Sequence, residues 1–249
     1  MLKHYEVHFL AAGKKVPSRR FKLAGESLRG AFGTYGILRK IADSKPQDYY
    51  KTLWSRSGDV PMWIGTRGYD DSLDDVLQMF SVTKFGGARI AQGTKEALLT
   101  LADFVGLMGA GRLSTSMSTD DVCSVAIAIA SDRPIIEAAK EMITRSVRRL
   151  FVRGEQGDFV SDRSLVDYMF SPGRLEIARD SPEKWIDGNV SDLATRTPGR
   201  CNTGPLGEAA KAMGPAPDDC LLTDELRLVT RWDLVVKPWK SGKLEAVGN

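Results

Sequence analysis

Histidine is scarce in this chain, and long apolar runs are missing from it. Of 249 residues only His4 and His8 are histidine. They alternate with Tyr5, Val7 and Phe9 on a stretch that reads as a strand, so about 13 Å would separate them and they cannot form one acid–base pair. Cysteine is limited to Cys123, Cys201 and Cys220, an odd number, widely spaced and without C-x-x-C pairing. That argues against a disulfide framework and a cysteine-built zinc site, and fits a reduced, cytoplasmic setting. No stretch approaches the roughly 20 apolar residues of a membrane helix. The opening MLKHYEVHF is followed by no apolar region of the kind that makes a secretion signal. Net charge is only +3, which does not by itself imply nucleic acid. Hydrophobic content of 42% and charged content of 27% are ordinary for a globular protein.

What is present is a set of glycine-rich segments and arginine clusters. Residues 23–42 read as a helix, with Leu28, Ala31, Phe32, Tyr35, Leu38 and Ala42 as its apolar stripe. Gly30, Gly33 and Gly36 each cost roughly 1 kcal/mol against alanine in a helix interior, which close approach of another backbone would explain. Arg29, Arg39 and Lys40 edge this helix, Lys14, Lys15, Arg19 and Arg20 precede it, and Arg145, Arg148, Arg149 and Arg153 gather further on. Strands are expected at 4–10, Asp59–Ile64, Val76–Phe85 and Val122–Ile129, and a helix over Lys95–Leu107 closed by Gly106, Gly109 and Gly111. The order strand, helix, strand, strand, helix, strand is the split βαβ arrangement. Pro134–Val152, Asp162–Phe170 and Leu206–Met213 read as helices, and Leu226–Val236 as a strand. No strong internal sequence repeat stands out. The expected class is α+β: a ferredoxin-like N-terminal domain over 1–131, then a second α+β domain over 132–249 with an arginine-rich helical insertion. In GLMGAG a helix runs into the glycines, whereas phosphate-binding glycines follow a strand and open a helix.

LRGAFGTYGILRK at 28–40, PMWIG at 61–65, MFSVTKFGGARI at 79–90 and LADFVGLMGAG at 101–111 together resemble the repeat-processing endoribonucleases of CRISPR systems, in the RAMP superfamily. The arginine-rich character is most similar to members from type IV systems. The resemblance implies a ferredoxin-like (RRM/RAMP) fold and a metal-independent, cofactor-free cut in the repeat hairpin of precursor CRISPR RNA. In that reaction the RNA 2′-hydroxyl attacks the adjacent phosphate and leaves a 2′,3′-cyclic phosphate. The product stays in the effector complex, so other CRISPR effector subunits are implied partners. Under that reading Arg20 and Arg39 hold the scissile phosphate, Tyr35 positions the 2′-oxygen, and Arg231 joins them from the C-terminal strand. Lys14, Lys15, Arg19, Arg29, Lys40, Arg145, Arg148, Arg149 and Arg153 grip the RNA backbone. Family members often carry a helix histidine, which is missing here, so a non-catalytic RAMP scaffold subunit is the second expectation. A viral RNA-associated matrix or coat-type protein is the third.

Overall fold

The computed structural model describes residues 34–45, 47–48, 65–83, 85–92, 95–153, 158–214 and 219–247. Three times within them the chain runs strand, helix, strand, strand, helix. The first pass is β1 (Gly65–Gly68), α2 (Leu73–Thr83), β2 (Gly87–Gln92), β3 (Lys95–Thr100) and α3 (Leu101–Gly109), and α1 (Thr34–Ala42) precedes it. Between the first and second passes lie β4 (Leu113–Thr115), the one-turn α4 (Thr119–Val122) and β5 (Ser124–Val125). The second pass is β6 (Ala128–Ile129), α5 (Ile135–Thr144), β7 (Arg149–Val152), β8 (Phe159–Ser161) and α6 (Asp162–Met169), followed by α7 (Pro172–Asp180). The third is β9 (Gly199–Arg200), α8 (Leu206–Met213), β10 (Cys220–Leu222), β11 (Arg227–Thr230) and α9 (Arg231–Lys240), and β12 (Leu244–Ala246) follows. In each pass the first strand is parallel to the second across a helical crossover, and the second is antiparallel to the third. The chain therefore carries a structural repeat that its residue identities hide.

Two compact units contain these passes. Of the described residues, unit 1 gathers those from 65 to 125 and from 198 onward, with the first and third passes; unit 2 gathers those from 34 to 48 and from 126 to 197, with the second. In unit 1, α2, α3, α8 and α9 bury Leu77, Phe80, Phe104, Met108, Met213, Leu234, Val235 and Val236. Phe80 and Phe104 meet edge to face with centroids 6.0 Å apart, the geometry aromatic quadrupoles favour. Gly109 lets α8 come close: a β-carbon there would lie 3.3 Å from the Lys211 backbone nitrogen. In unit 2, α1 packs on α5 and α6, around Leu38, Ile41, Ile135, Met142, Leu150 and Leu165. Trp185 is fully buried there, and its indole N–H donates to the Met169 carbonyl at 2.6 Å.

Among the described residues no ferredoxin-like (RRM/RAMP) sheet forms. That fold needs four strands of the first 131 residues in one antiparallel sheet. Here β1, β2 and β3 form a three-stranded mixed sheet, while β5 pairs with β11 in the sheet β5-β11-β10-β9. The architecture is instead α+β with several small mixed sheets.

Three of the differences from the sequence reading share one cause, a helix start set by Ser or Thr three residues before Asp. Val76–Phe85 is expected as a strand but is helix α2 up to Thr83, because Ser72 and Asp75 cap that helix: Ser72 N–H and Oγ donate to the Asp75 carboxylate at 3.0 and 2.6 Å. The expected helix Lys95–Leu107 is strand β3 up to Thr100 and helix α3 beyond it. The expected strand Leu226–Val236 is strand only to Thr230, where α9 begins. Pro134–Val152 is helical only to Thr144; a turn through Ser146 at φ 55° leads into β7. Val122–Ile129 is two short strands, β5 and β6, rather than one. Helices at Asp162–Met169 and Leu206–Met213 agree with expectation. The expected strands at 4–10 and Asp59–Ile64 and the start of the 23–42 helix lie outside the described residues.

Candidate functional site

Unit 1 brings two helix starts of the same design to one place. At α3, Thr100 N–H and Oγ1 donate to Asp103 Oδ2 at 2.7 and 2.9 Å. At α9, Thr230 N–H and Oγ1 donate to Asp233 Oδ2 at 2.8 and 2.7 Å. Each motif ties down the first turn and puts a carboxylate at the positive end of a helix, where it is favoured. The strand before each (LLT at 98–100, LVT at 228–230) delivers the threonine, and α3 and α9 then pack against each other.

The two aspartates do different work. Asp233 is buried and its other oxygen pairs with Lys237 Nζ at 2.7 Å, so its charge is used inside the fold. Asp103 is half-buried, and burial pushes its carboxyl above the usual carboxylate range. The hydrogen bonds from Thr100, the guanidinium charge of Arg231 and the residue's own N–H oppose that rise. The same motif in an exposed setting behaves in the opposite way. Asp75, bonded by Ser72, and Asp121, bonded by Ser118, are both held below the ordinary value, because there hydrogen bonding outweighs desolvation. Arg231 opens α9 and pairs with Asp219 at 2.5 Å, both partners partly exposed. A half-buried carboxylate beside a partly exposed guanidinium can accept from sugar hydroxyls and donate to phosphate oxygens.

The matching junction in unit 2 is filled. Asp162 opens α6, and Arg148 Nε and Nη2 donate to its Oδ2 at 2.8 and 2.6 Å. Thr34 Oγ1, at the start of α1, donates to the same oxygen at 2.6 Å. Tyr35 follows, its hydroxyl 3.4 Å from the Met142 carbonyl and its pKa raised by burial, with Arg39, Ser146 and Arg148 acting to lower it.

Of the residues the sequence pointed to, Lys14, Lys15, Arg19, Arg20 and Arg29, like His4 and His8, lie outside the described residues. Tyr35 and Arg39 share α1, Tyr35 half-buried and Arg39 exposed. Lys40 is half-buried on the same helix. Arg145 is on the surface and pairs with Glu141 at 2.5 Å. Arg149 begins β7 with its guanidinium carbon 6.0 Å from the Phe159 ring centre, and Arg153 is exposed at the far end of that strand. Arg145, Arg148, Arg149 and Arg153 thus do not line one helix: a turn and a strand separate them. Arg231 opens a helix rather than sitting on a strand, and it alone of the described candidates reaches the unit 1 site. Thr100, Asp103, Asp219, Thr230 and Asp233 escaped the sequence reading. The signal for them was the Ser/Thr-x-x-Asp spacing after a short apolar strand, visible in LLTLADFV and LVTRWDLV. Among the described residues no group of three or more His, Cys, Asp or Glu side chains could hold a metal ion, and no helix is long and apolar enough to cross a membrane.

No family model matches the sequence, and no curated protein does. Solved structures match the fold. A Methanocaldococcus jannaschii protein, MJ1225, described as a putative archaeal homologue of γ-AMPK, superposes with a TM-score of 0.71 at 14% identity, over 96% of this chain and 95% of its own. An uncharacterised conserved protein from Pyrococcus horikoshii matches at TM-score 0.49 and 16% identity, over 69% of this chain and 77% of its own. CBSX2, solved in complex with AMP, matches at TM-score 0.38 and 16% identity, over 51% of this chain and 100% of its own. At these identities the likeness is one of fold: over nearly its whole length this chain shares the fold of the MJ1225 protein. This overturns the resemblance to CRISPR RAMP endoribonucleases, which rested on glycine-rich fragments that the structure distributes over different elements. The expected cleavage of precursor CRISPR RNA falls with it. So do the repeat hairpin and effector subunits as partners.

Proposed function

We propose that the protein is a ligand-responsive regulatory module of the cytoplasm that binds an adenosine nucleotide in unit 1. The observation supporting this is the convergence of two Thr-x-x-Asp helix starts, with the Arg231 charge acting on the half-buried Asp103 carboxylate. Asp103 accepts from ribose hydroxyls, and Arg231, aided by the α9 N-terminus, takes the phosphate. Arg231 can hold Asp219 and a phosphate together, since a guanidinium carries five donors in a fixed fork. Three cysteines that are free and buried are in keeping with a reduced compartment. The likeness to a described γ-AMPK homologue makes adenosine nucleotides the first ligands to try. No chemistry is assigned to the site; its output is a change in the population of conformations that a partner reads.

The test is calorimetric titration of the full chain with AMP, ADP and ATP, with adenosine and GMP as comparisons. Binding of at least one adenosine nucleotide is expected, weaker by more than tenfold in Arg231→Ala and lost with adenosine alone. At a ligand concentration of 100 Kd, melting should move up by the equivalent of about 2.7 kcal/mol. No heat and no shift in melting with any of the three nucleotides at millimolar concentration would defeat the reading.

A further inference from the structure

We infer that unit 2 does not take an anionic ligand at the junction matching the unit 1 site, because the chain's own Asp162 carboxylate already occupies it. The inference rests on nucleotide binding in unit 1 and says which half of the molecule is responsible.

Asp162 is the first residue of α6, as Arg231 is of α9 and Leu101 of α3. Its side chain is only 6% exposed. Oδ2 collects Arg148 Nε, Arg148 Nη2 and Thr34 Oγ1, while Oδ1 accepts the Arg163 N–H at 3.0 Å. Arg148 Nη2 also reaches Thr34 Oγ1 at 3.3 Å, which closes the ring of contacts. A carboxylate held by a guanidinium fork, a hydroxyl and a helix-start amide has the partners that a bound phosphate would have. An incoming phosphate would find those donors engaged and a buried like charge in its path. Unit 1 presents the opposite sign at the same junction: a partly exposed arginine. The internal anion also fastens the start of α1 to the start of α6, so the contact that a ligand would create in unit 2 exists without one.

Binding of AMP and of inorganic phosphate is measured by equilibrium dialysis on the full chain, with folding checked by circular dichroism and melting. In the wild-type chain Arg231→Ala is expected to weaken all AMP binding more than tenfold, leaving no second class of site. Adding Asp162→Asn to Arg231→Ala removes the negative charge that holds Arg148 and Thr34, and is expected to restore binding of one phosphate per chain in the low millimolar range. Where the asparagine variant melts below the assay temperature, Asp162→Ser in the same background makes the same measurement with a smaller side chain. AMP binding that survives in folded Arg231→Ala and is lost on Thr34→Val would overturn the inference. So would a folded Asp162 variant with no gain in phosphate binding. A wild-type chain that binds no adenosine nucleotide defeats the functional reading instead, while the phosphate measurement on the Asp162 variants still decides the state of unit 2.

Discussion

Arg148 and Asp162 form a 2.6 Å ion pair at the junction between the entry to β7 and the start of α6. In the third pass the same two positions are Asp219 and Arg231, paired at 2.5 Å with the signs exchanged. In the first pass they are Gly86 and Leu101, joined by a hydrogen bond from the Leu101 N–H to the Gly86 carbonyl at 3.0 Å. The Asp162 N–H bonds the Arg148 carbonyl in the same way, also at 3.0 Å. The backbone link holds the starts of α3 and α6 against their strand entries, and the side chains above it differ. One scaffold position thus carries an apolar contact, an inward acid and an outward base.

The acid version matters most for stability. Asp162→Ala should lower unfolding free energy by about 2 kcal/mol in urea titrations, since it strands Arg148 and Thr34 together. Half-exposure of Arg148, 55% for its side chain, lets water recover part of the loss and keeps the figure below that of a fully buried pair. Removing Arg148 and Asp162 together, as Met and Leu, should cost clearly less than the sum of the single changes. A cycle with no coupling would mean that the pair is ornamental.

At the glycine version the constraint is space. A β-carbon on Gly86 would sit 2.5 Å from Leu101 Cδ1 and 2.8 Å from its Cγ. Gly86→Ala is expected to cost about 1–3 kcal/mol by overpacking. Leu101→Ala in the same chain should recover part of that cost, because the clash disappears along with the leucine. Melting curves of the two single variants and the double settle it; strictly additive losses would show that Gly86 is needed for its backbone instead.

These relationships explain what could and could not be seen in the sequence. Helices whose apolar residues stay in one period over their whole length, such as Leu206–Met213, were legible. Segments that change period partway were not: LLTLADFVGLM and LRLVTRWDLVV each begin as strand and end as helix, and an averaged pattern assigns each to one state. The switch sits at Thr100 and Thr230, where the threonine leaves the strand and its aspartate fastens the first helical turn. Set beneath one another, LLTLADFVGLM, FVSDRSLVDYM and LVTRWDLVVKP show the repeat, but only at the level of apolar and hydroxyl positions; the acid of the first and third, Asp103 and Asp233, is Ser164 in the second. The site was half legible. Arg231 drew notice as a cation, while Asp103 was passed over because its character comes from burial, which only the packed helices create.

Exposed and buried versions of the same cap should respond to pH in opposite senses. Asp121 accepts from Ser118 N–H at 2.7 Å and is held below the ordinary carboxylate value, so its contribution is present above that value and disappears as pH falls through the lowered one. Ser118→Ala should raise the Asp121 titration midpoint, read from its side-chain carbonyl 13C shift. A midpoint that stays in place would show that the serine hydroxyl does not supply the effect.

For Asp103 the sign reverses. Its carboxyl is raised by burial, so the folded chain holds that proton more tightly than the unfolded one. Its contribution to stability is therefore complete below the unfolded carboxylate value and is lost as pH rises through the raised folded value. Asp103→Asn keeps an acceptor for Thr100 and removes the titration. The variant should gain on the wild-type chain as pH rises out of the acid range, a trend that chemical denaturation at successive pH values measures directly. Arg231 lowers the Asp103 midpoint, so Arg231→Ala should move it further up in a 13C titration, and AMP should do the same to the extent that its phosphate neutralises the guanidinium. An unchanged midpoint in Arg231→Ala would separate the two residues and leave the unit 1 site without its cation.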